Sequence, residues 1–142
     1  MKRVFLIDAM SHIYRAFFAP MGMRQDPLRN SKGEVTQAVF VFTNMLRKLL
    51  NDERPEYIVA IWDTFAPTFR HDSYADYKAN RQETPDDLLK QLPWVERVCE
   101  AFGISNLRLD GYEADDIIGT LAKECAAKQM KAVIVSNDKD LC

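Results

Sequence analysis

The chain has few of the residues that announce zinc, disulfides or a membrane. Its 142 residues include only two histidines and three cysteines. Cys99, Cys125 and Cys142 are an odd number, and no two have the spacing of a zinc clip. Neither a disulfide framework nor a structural zinc site is expected. Cys99 and Cys125 fall on apolar helical faces, where a thiol packs as a small hydrophobe, and Cys142 is read as an exposed thiol at the end. No apolar run approaches the roughly 20 residues that span a bilayer. Lys2 and Arg3 precede only "VFLI" before Asp8, well short of the roughly 7–15 apolar residues of a signal peptide. A cytoplasmic protein with no membrane partner is therefore expected. The formal net charge is −2, so no overall basic character announces nucleic acid, and such a partner would need a local patch. Repeats and low-complexity tracts are also lacking.

What is present reads as one soluble globular domain over residues 1–142. Hydrophobic residues make up 47% and charged residues 28%, and the length suffices to bury a core. Strand and helix patterns alternate. "RVFLID" (3–8), "EYIVAIWD" (56–63), "ISNLRLD" (104–110) and "KAVIVS" (131–136) read as strands. "TQAVFVFTNMLRKLLND" (36–52) carries Val39, Phe42, Leu46 and Leu49 at helical spacing. Residues 85–103 repeat that pattern with Leu88, Leu92, Val95, Cys99 and Phe102, opened by Pro85 and closed by Gly103. Pro93 inside this helix predicts a kink. Residues 113–129 form a helix with acids in its first turn, and "SHIYRAFF" begins one just after Asp8, with Phe17 and Phe18 in the core. Alternation of this kind, with near-continuous apolar strands, implies a parallel sheet covered by helices.

In such sheets the ligand site lies outside the carboxyl ends of the strands. Asp8 ends the first strand and Asp63 the second, while Asp138 and Asp140 follow the last. Glu113, Asp115 and Asp116 open the helix after the third. Each acid alone has a bland explanation as a turn former or N-cap, and Asp110, before Gly111, is left out as part of a turn. Together they would repel: like charges about 4 Å apart cost roughly 1 kcal/mol even in bulk water. A hard cation would relieve this, and an all-oxygen set suits Mg²⁺ or Mn²⁺ rather than Zn²⁺. Several such carboxylates around more than one ion suggest two-metal phosphoryl chemistry.

"FRHDSYADYKANR" (69–81) is the second informative stretch. On a wheel of about 100° per residue, Tyr74, Tyr77, Lys78 and Arg81 fall within about 80° of Arg70. Asp72, Asp76 and Glu83 lie on the opposite face. Cations interleaved with tyrosines suit a nucleic-acid backbone with stacked bases, although an ordinary surface helix with i,i+4 pairs reads equally well. Its position after Asp63, beside the acidic edge, favours the first reading. Arg15 is a candidate phosphate contact, and His12 a surface or capping group. The loop over 20–34, with Arg24, Arg29 and Lys32, leans towards a DNA-facing segment.

"FLIDAMSHIYRAFFA", "FRHDSYADYKANR", "GYEADDIIGTLA" and "SNDKDL", in this order, resemble the 5′-nuclease domain of bacterial DNA polymerase I and its flap-endonuclease relatives. The resemblance implies a PIN-like (resolvase-like) α/β core and Mg²⁺-dependent hydrolysis of DNA at 5′ ends and 5′ flaps, in replication and repair. It implies that Asp8, Asp63, Glu113 and Asp115 gather around one metal. Asp138 and Asp140 would serve a second, with Asp115 between them and Asp116 close by. Lys78, Arg70, Arg81 and Tyr77 would lie on a helical arch over about 64–85 and steady the scissile phosphate and the 5′ strand. Asn137 stands where the family usually has Gly or a small residue. The family's chain also continues past "DKDL" into a further metal-binding aspartate and a helix-hairpin-helix element, with a polymerase domain in the parent proteins. The present chain reads as the N-terminal portion of such a nuclease, C-terminally incomplete and with impaired activity.

Two other readings stand beside this one. The first is a non-catalytic DNA-binding fragment of such a nuclease. The second is a phosphatase with nucleophilic Asp8, disfavoured because Met10 occupies the position where that scheme wants another aspartate. A single-strand ribonuclease of the same architecture is consistent with the acids, but the "YKANR" stretch favours the DNA branch.

Overall fold

The computed structural model describes residues 1–19, 26–64 and 85–137. Among the described residues nine elements follow one another: β1 (Arg3–Asp8), α1 (Ala9–Phe18), α2 (Gln37–Glu53), β2 (Tyr57–Ile61), α3 (Asp86–Leu89), α4 (Leu92–Ala101), β3 (Ser105–Leu107), α5 (Ala114–Ala127) and β4 (Lys131–Val135). The strands form one parallel sheet in the order β3-β2-β1-β4. The expected α/β fold, a parallel sheet with helices on both faces, is the fold observed.

The sheet order dictates where the helices go. Moving from β1 to β2 to β3, the crossovers run one way across the sheet, and from β3 back to β4 they run the other way. Right-handed crossovers must then use opposite faces. Ile7, Ala60, Trp62 and Ile104 accordingly pack with buried residues of α1, α2, α3 and α4. Leu6 and Ile61, on the other face, pack with Ala114, Ile117 and Ile118 of α5. Alternate residues of β1 thus serve two cores, which is why Val4, Phe5, Leu6 and Ile7 are apolar in succession rather than alternating.

The helices bury narrow stripes. In α2 the stripe is Ala38, Phe42 and Leu46, and in α4 it is Leu92, Val95 and Cys99. The expected thiol packing holds for Cys99 and Cys125, both buried and free; burial pushes the Cys99 thiol up to about 12, so it stays neutral. Helix α4 ends in a Schellman motif. Gly103 takes φ +77, Ile104 N donates to the Cys99 carbonyl at 2.8 Å, and Gly103 N donates to that of Glu100 at 3.0 Å. Glycine meets no Cβ penalty there.

Several boundaries differ from the sequence expectation. The helix expected over 85–103 is two helices: α3 stops at Leu89, and α4 starts afresh at Leu92 with Pro93 in its first turn. Proline lacks only an N–H that this turn leaves unpaired anyway, so it starts a helix here instead of kinking one. β2 ends at Ile61 and β3 at Leu107, both shorter than expected, because pairing stops where the neighbouring strand does. Phe18 is 62% exposed rather than in the core, and Phe102, beyond the last helical residue, is 38% exposed. No helix among the described residues is long and apolar enough to cross a membrane.

Candidate active site at the carboxyl edge of the sheet

In the order β3-β2-β1-β4 the strand order reverses between β1 and β4, and ligands of open α/β sheets bind outside this point. Asp8 stands at it. The residue is 3% exposed, and its carboxylate does not cap α1, although Asp8 holds the N-cap position. Its Oδ2 accepts a hydrogen bond from Ser136 Oγ at 3.0 Å, and its backbone carbonyl accepts one from Ser11 Oγ at 3.0 Å. Burial holds the Asp8 carboxyl above the usual aspartate range, and the negative charge of Asp63 raises it further, against hydrogen bonding from Ser136 and from Ser11 in the first turn of α1. The contact with Ser11 falls short of a well-formed cap bond, and it leaves the carboxyl raised, so a helix cap alone does not account for Asp8.

Asp8 pairs in register with Ile61, so Asp63 lies two residues beyond the end of β2 rather than on it. Its Oδ1 accepts from Ala114 N, the first N–H of α5, at 2.7 Å. This bond brings the acidic first turn of α5 to the edge where Asp8 and Asp63 lie. There Glu113 and Asp116 form a reciprocal capping box, each side chain taking the other's backbone N–H, with Asp116 Oδ2 at 3.3 Å from Glu113 N. For this pair the structural explanation accounts for one oxygen of each. Asp115 sits between them in the same turn, partly buried.

The structure thus brings Asp8, Asp63, Glu113, Asp115 and Asp116 to one edge from three stretches of chain. Among the described residues, no three of His, Cys, Asp and Glu stand close enough to hold one ion jointly. Asp138, Asp140, Arg70, Tyr77, Lys78 and Arg81 lie outside the described residues, as do Arg24 and Cys142. Arg15 is exposed on α1 and donates through Nη1 to Asn137 Oδ1 at 2.8 Å. His12 is no ordinary surface group, since both ring nitrogens are engaged, with Val135 and Asn137. In the loop, Arg29 Nη1 donates to the Gly33 carbonyl at 2.9 Å and Lys32 N to Asn30 Oδ1 at 3.0 Å; this part folds on itself. A cavity of about 570 Å³, lined by Lys32, Val39, Lys90 and Trp94 among others, includes none of these carboxylates.

Sequence reasoning missed Ser11 and Ser136. Ile7 pairs with Val135, so the residue after β4 necessarily arrives beside Asp8. Only the order of the strands reveals this.

Comparison with known proteins agrees with this architecture. The family model of the 5′-3′ exonuclease, N-terminal resolvase-like domain, matches residues 3–142. The chain is 45% identical over 140 residues to DNA polymerase I of Treponema pallidum, covering 99% of this chain and 14% of that protein. It is 43% identical over 141 residues to the 5′-3′ exonuclease of Aquifex aeolicus, covering 99% of this chain and 47% of that protein. It therefore spans less than half the length of these relatives. Among solved structures, the bacteriophage T5 5′-exonuclease with bound zinc superposes with a TM-score of 0.68 at 16% identity, over 98% of this chain and 50% of that one. The T5 flap endonuclease in a complex with DNA and metal ions does so with a TM-score of 0.59 at 15% identity, over 97% and 50%. The architecture is thus the PIN-like α/β core. By its sequence over nearly its whole length, the chain belongs to the family of 5′-3′ exonuclease N-terminal resolvase-like domains.

Proposed function

We propose that this chain is the N-terminal part of a divalent-metal-dependent nuclease that hydrolyses DNA phosphodiesters at 5′ ends and 5′ flaps, in replication and repair. The observation that carries the reading is Asp8: a carboxylate buried at the switch point of the sheet, with no well-formed cap bond to α1, and driven towards its neutral form by burial and by Asp63 against hydrogen bonding from Ser136 and Ser11. Such a group opposes folding at neutral pH, and its retention makes sense where a cation neutralises it.

The donor set suits a hard cation. As placed, no three of the described acids stand close enough to hold one ion; drawn together, Asp8, Asp63, Glu113 and Asp115, with Asp116 and with Asp138 and Asp140 further along the chain, would hold Mg²⁺, or Mn²⁺ in its place. Such ions, when bound, supply an activated water and charge neutralisation at the phosphodiester. The chain's own residues do the rest. Asp63 fixes α5 against β2 through Ala114 N, and Ser136 orients the Asp8 carboxylate. Lys78, Arg70, Arg81 and Tyr77, on a helical arch over about 64–85, would hold the scissile phosphate and the 5′ strand, with Arg15 as a further phosphate contact. We assign residues 1–142 to one domain, in the cytoplasm, carried in its parent by a longer chain with duplex-gripping and polymerase parts.

One observation favours the second reading, a non-catalytic DNA-binding fragment: the capping box of Glu113 and Asp116 occupies two of the carboxylates. A 5′-labelled flap distinguishes the two. Nuclease action predicts product in Mg²⁺ or Mn²⁺ and none in chelator or with Asp8→Ala. Product in chelator, or from Asp8→Ala at the parent rate, would overturn the assignment. DNA binding without product in either metal would favour the fragment reading.

A further inference from the structure

The exit of β4 is stitched to α1 by hydrogen bonds whose polarity is determined from both ends. Arg15 Nη1 donates to Asn137 Oδ1 at 2.8 Å. Asn137 Nδ2 meets His12 Nδ1 at 2.9 Å, and His12 Nε2 meets the Val135 carbonyl at 3.0 Å. A guanidinium only donates and a carbonyl only accepts. The Arg15 end therefore turns the Asn137 oxygen towards α1 and its NH₂ towards His12. The Val135 end requires the proton on His12 Nε2, leaving Nδ1 bare to accept from Asn137. Flipping the amide would set NH₂ against the guanidinium, and moving the imidazole proton would break two bonds at once.

The consequence reaches Asp8. Asn137 N donates to Ser11 Oγ at 3.2 Å, and Ser11 in turn donates to the Asp8 carbonyl. Ser136, held between Val135 and Asn137, donates to the Asp8 carboxylate. Ser11, His12 and Arg15 lie within about one turn of α1, so this segment of helix grips the three residues that leave β4. Burial keeps His12 below its ordinary range, with the Arg15 charge acting in the same direction, which favours the neutral ring the relay needs.

We propose that His12, Asn137 and Arg15 are positioning residues of the nuclease reaction: their directed relay fixes the exit of β4 on α1 and so holds Ser136 against the Asp8 carboxylate. The proposal rests on the reading of Asp8 as a group of the active site.

The test uses the whole chain with Asn137→Ala, Asn137→Asp and Asp8→Asn. Ring ¹⁵N shifts of the parent should report His12 protonated at Nε2 and bare at Nδ1. Asn137→Ala should lower kcat on a 5′-flap roughly 10- to 100-fold while KM moves by no more than about threefold. In Asn137→Asp the carboxylate cannot donate, so Nδ1 must take up a proton to keep the relay. The His12 pKa should then rise relative to the parent, and kcat relative to the parent should recover as pH falls. This isosteric variant keeps the test open should Asn137→Ala fail to fold. A His12 ring protonated at Nδ1, or an Asn137→Ala kcat within about threefold of the parent, overturns the proposal while leaving the role of Asp8 intact. Cleavage by Asp8→Asn at the parent rate removes the reading of the site and the proposal with it, whichever tautomer His12 holds.

Discussion

Helix α2 is capped from 53 residues away, and breaking that cap gives a quantitative test of the packing. Its own N-cap residue, Thr36, makes no side-chain cap bond. Gln91, 2% exposed between α3 and α4, supplies it: Oε1 accepts from Ala38 N at 2.9 Å and Val39 N at 3.2 Å. Its Nε2 donates to the Asp87 carbonyl at 2.9 Å. Gln91→Leu keeps the volume and removes all three bonds. Two N–H groups lose their partner, that of Ala38 in a buried site and that of Val39 in a part-buried one beside the cavity, at about 1–3 kcal/mol each with the second at the low end, offset in part by burial of the leucine. A net loss of about 3 kcal/mol follows, or roughly 9 °C in Tm at about 3 °C per kcal/mol for a domain of this size. Urea unfolding followed by circular dichroism should show the midpoint falling at constant slope. Gln91→Glu, which can still accept both N–H bonds but cannot donate to Asp87, should fall between Gln91→Leu and the parent. A Gln91→Leu loss below about 1 kcal/mol would refute the reasoning.

Asp8→Asn should raise stability in chelator by about 1 kcal/mol, because it removes a buried charge facing Asp63 at nearly constant shape. The sign follows from the raised carboxyl: its contribution is fully present below the unfolded pKa and is lost as pH rises through the folded value. At neutral pH the charged Asp8 therefore opposes folding. Magnesium should reverse the ranking, stabilising the parent by about 2.7 kcal/mol at a concentration 100 times its Kd and the variant by less; equal stabilisation of both would contradict the assignment. For His12 the sign is opposite. Its folded pKa is depressed, so its contribution is present above the unfolded value and lost as pH falls through the folded one. His12→Ala should flatten that acid limb of the stability curve, and an unchanged limb would count against the relay.

The local parts of the fold were legible. The span of β1, the apolar stripe of α2 and the glycine stop after α4 are set by neighbours along the chain. What depends on distant partners was not. Whether β4 lies beside β1 or beyond β3 leaves no trace in either strand's own pattern, yet it decides that Ser136 meets Asp8. Pro93 looked like a kink because the apolar spacing continues through it, while the turn at Gln91 exists to reach α2. Asp8 and Asp63 were legible as acids following strands. That Asp8 makes no well-formed cap bond, while Glu113 and Asp116 form a capping box, required side-chain positions.

The most direct test of the account is the single-turnover rate at which Asp8→Asn cleaves a 5′-labelled flap in Mg²⁺, at saturating protein, against the parent. A catalytic Asp8 predicts a loss on the order of 10³-fold in a chain at least as stable in chelator as the parent. A rate within about threefold of the parent would contradict it, because the buried carboxylate at the switch point would then have no part in the chemistry.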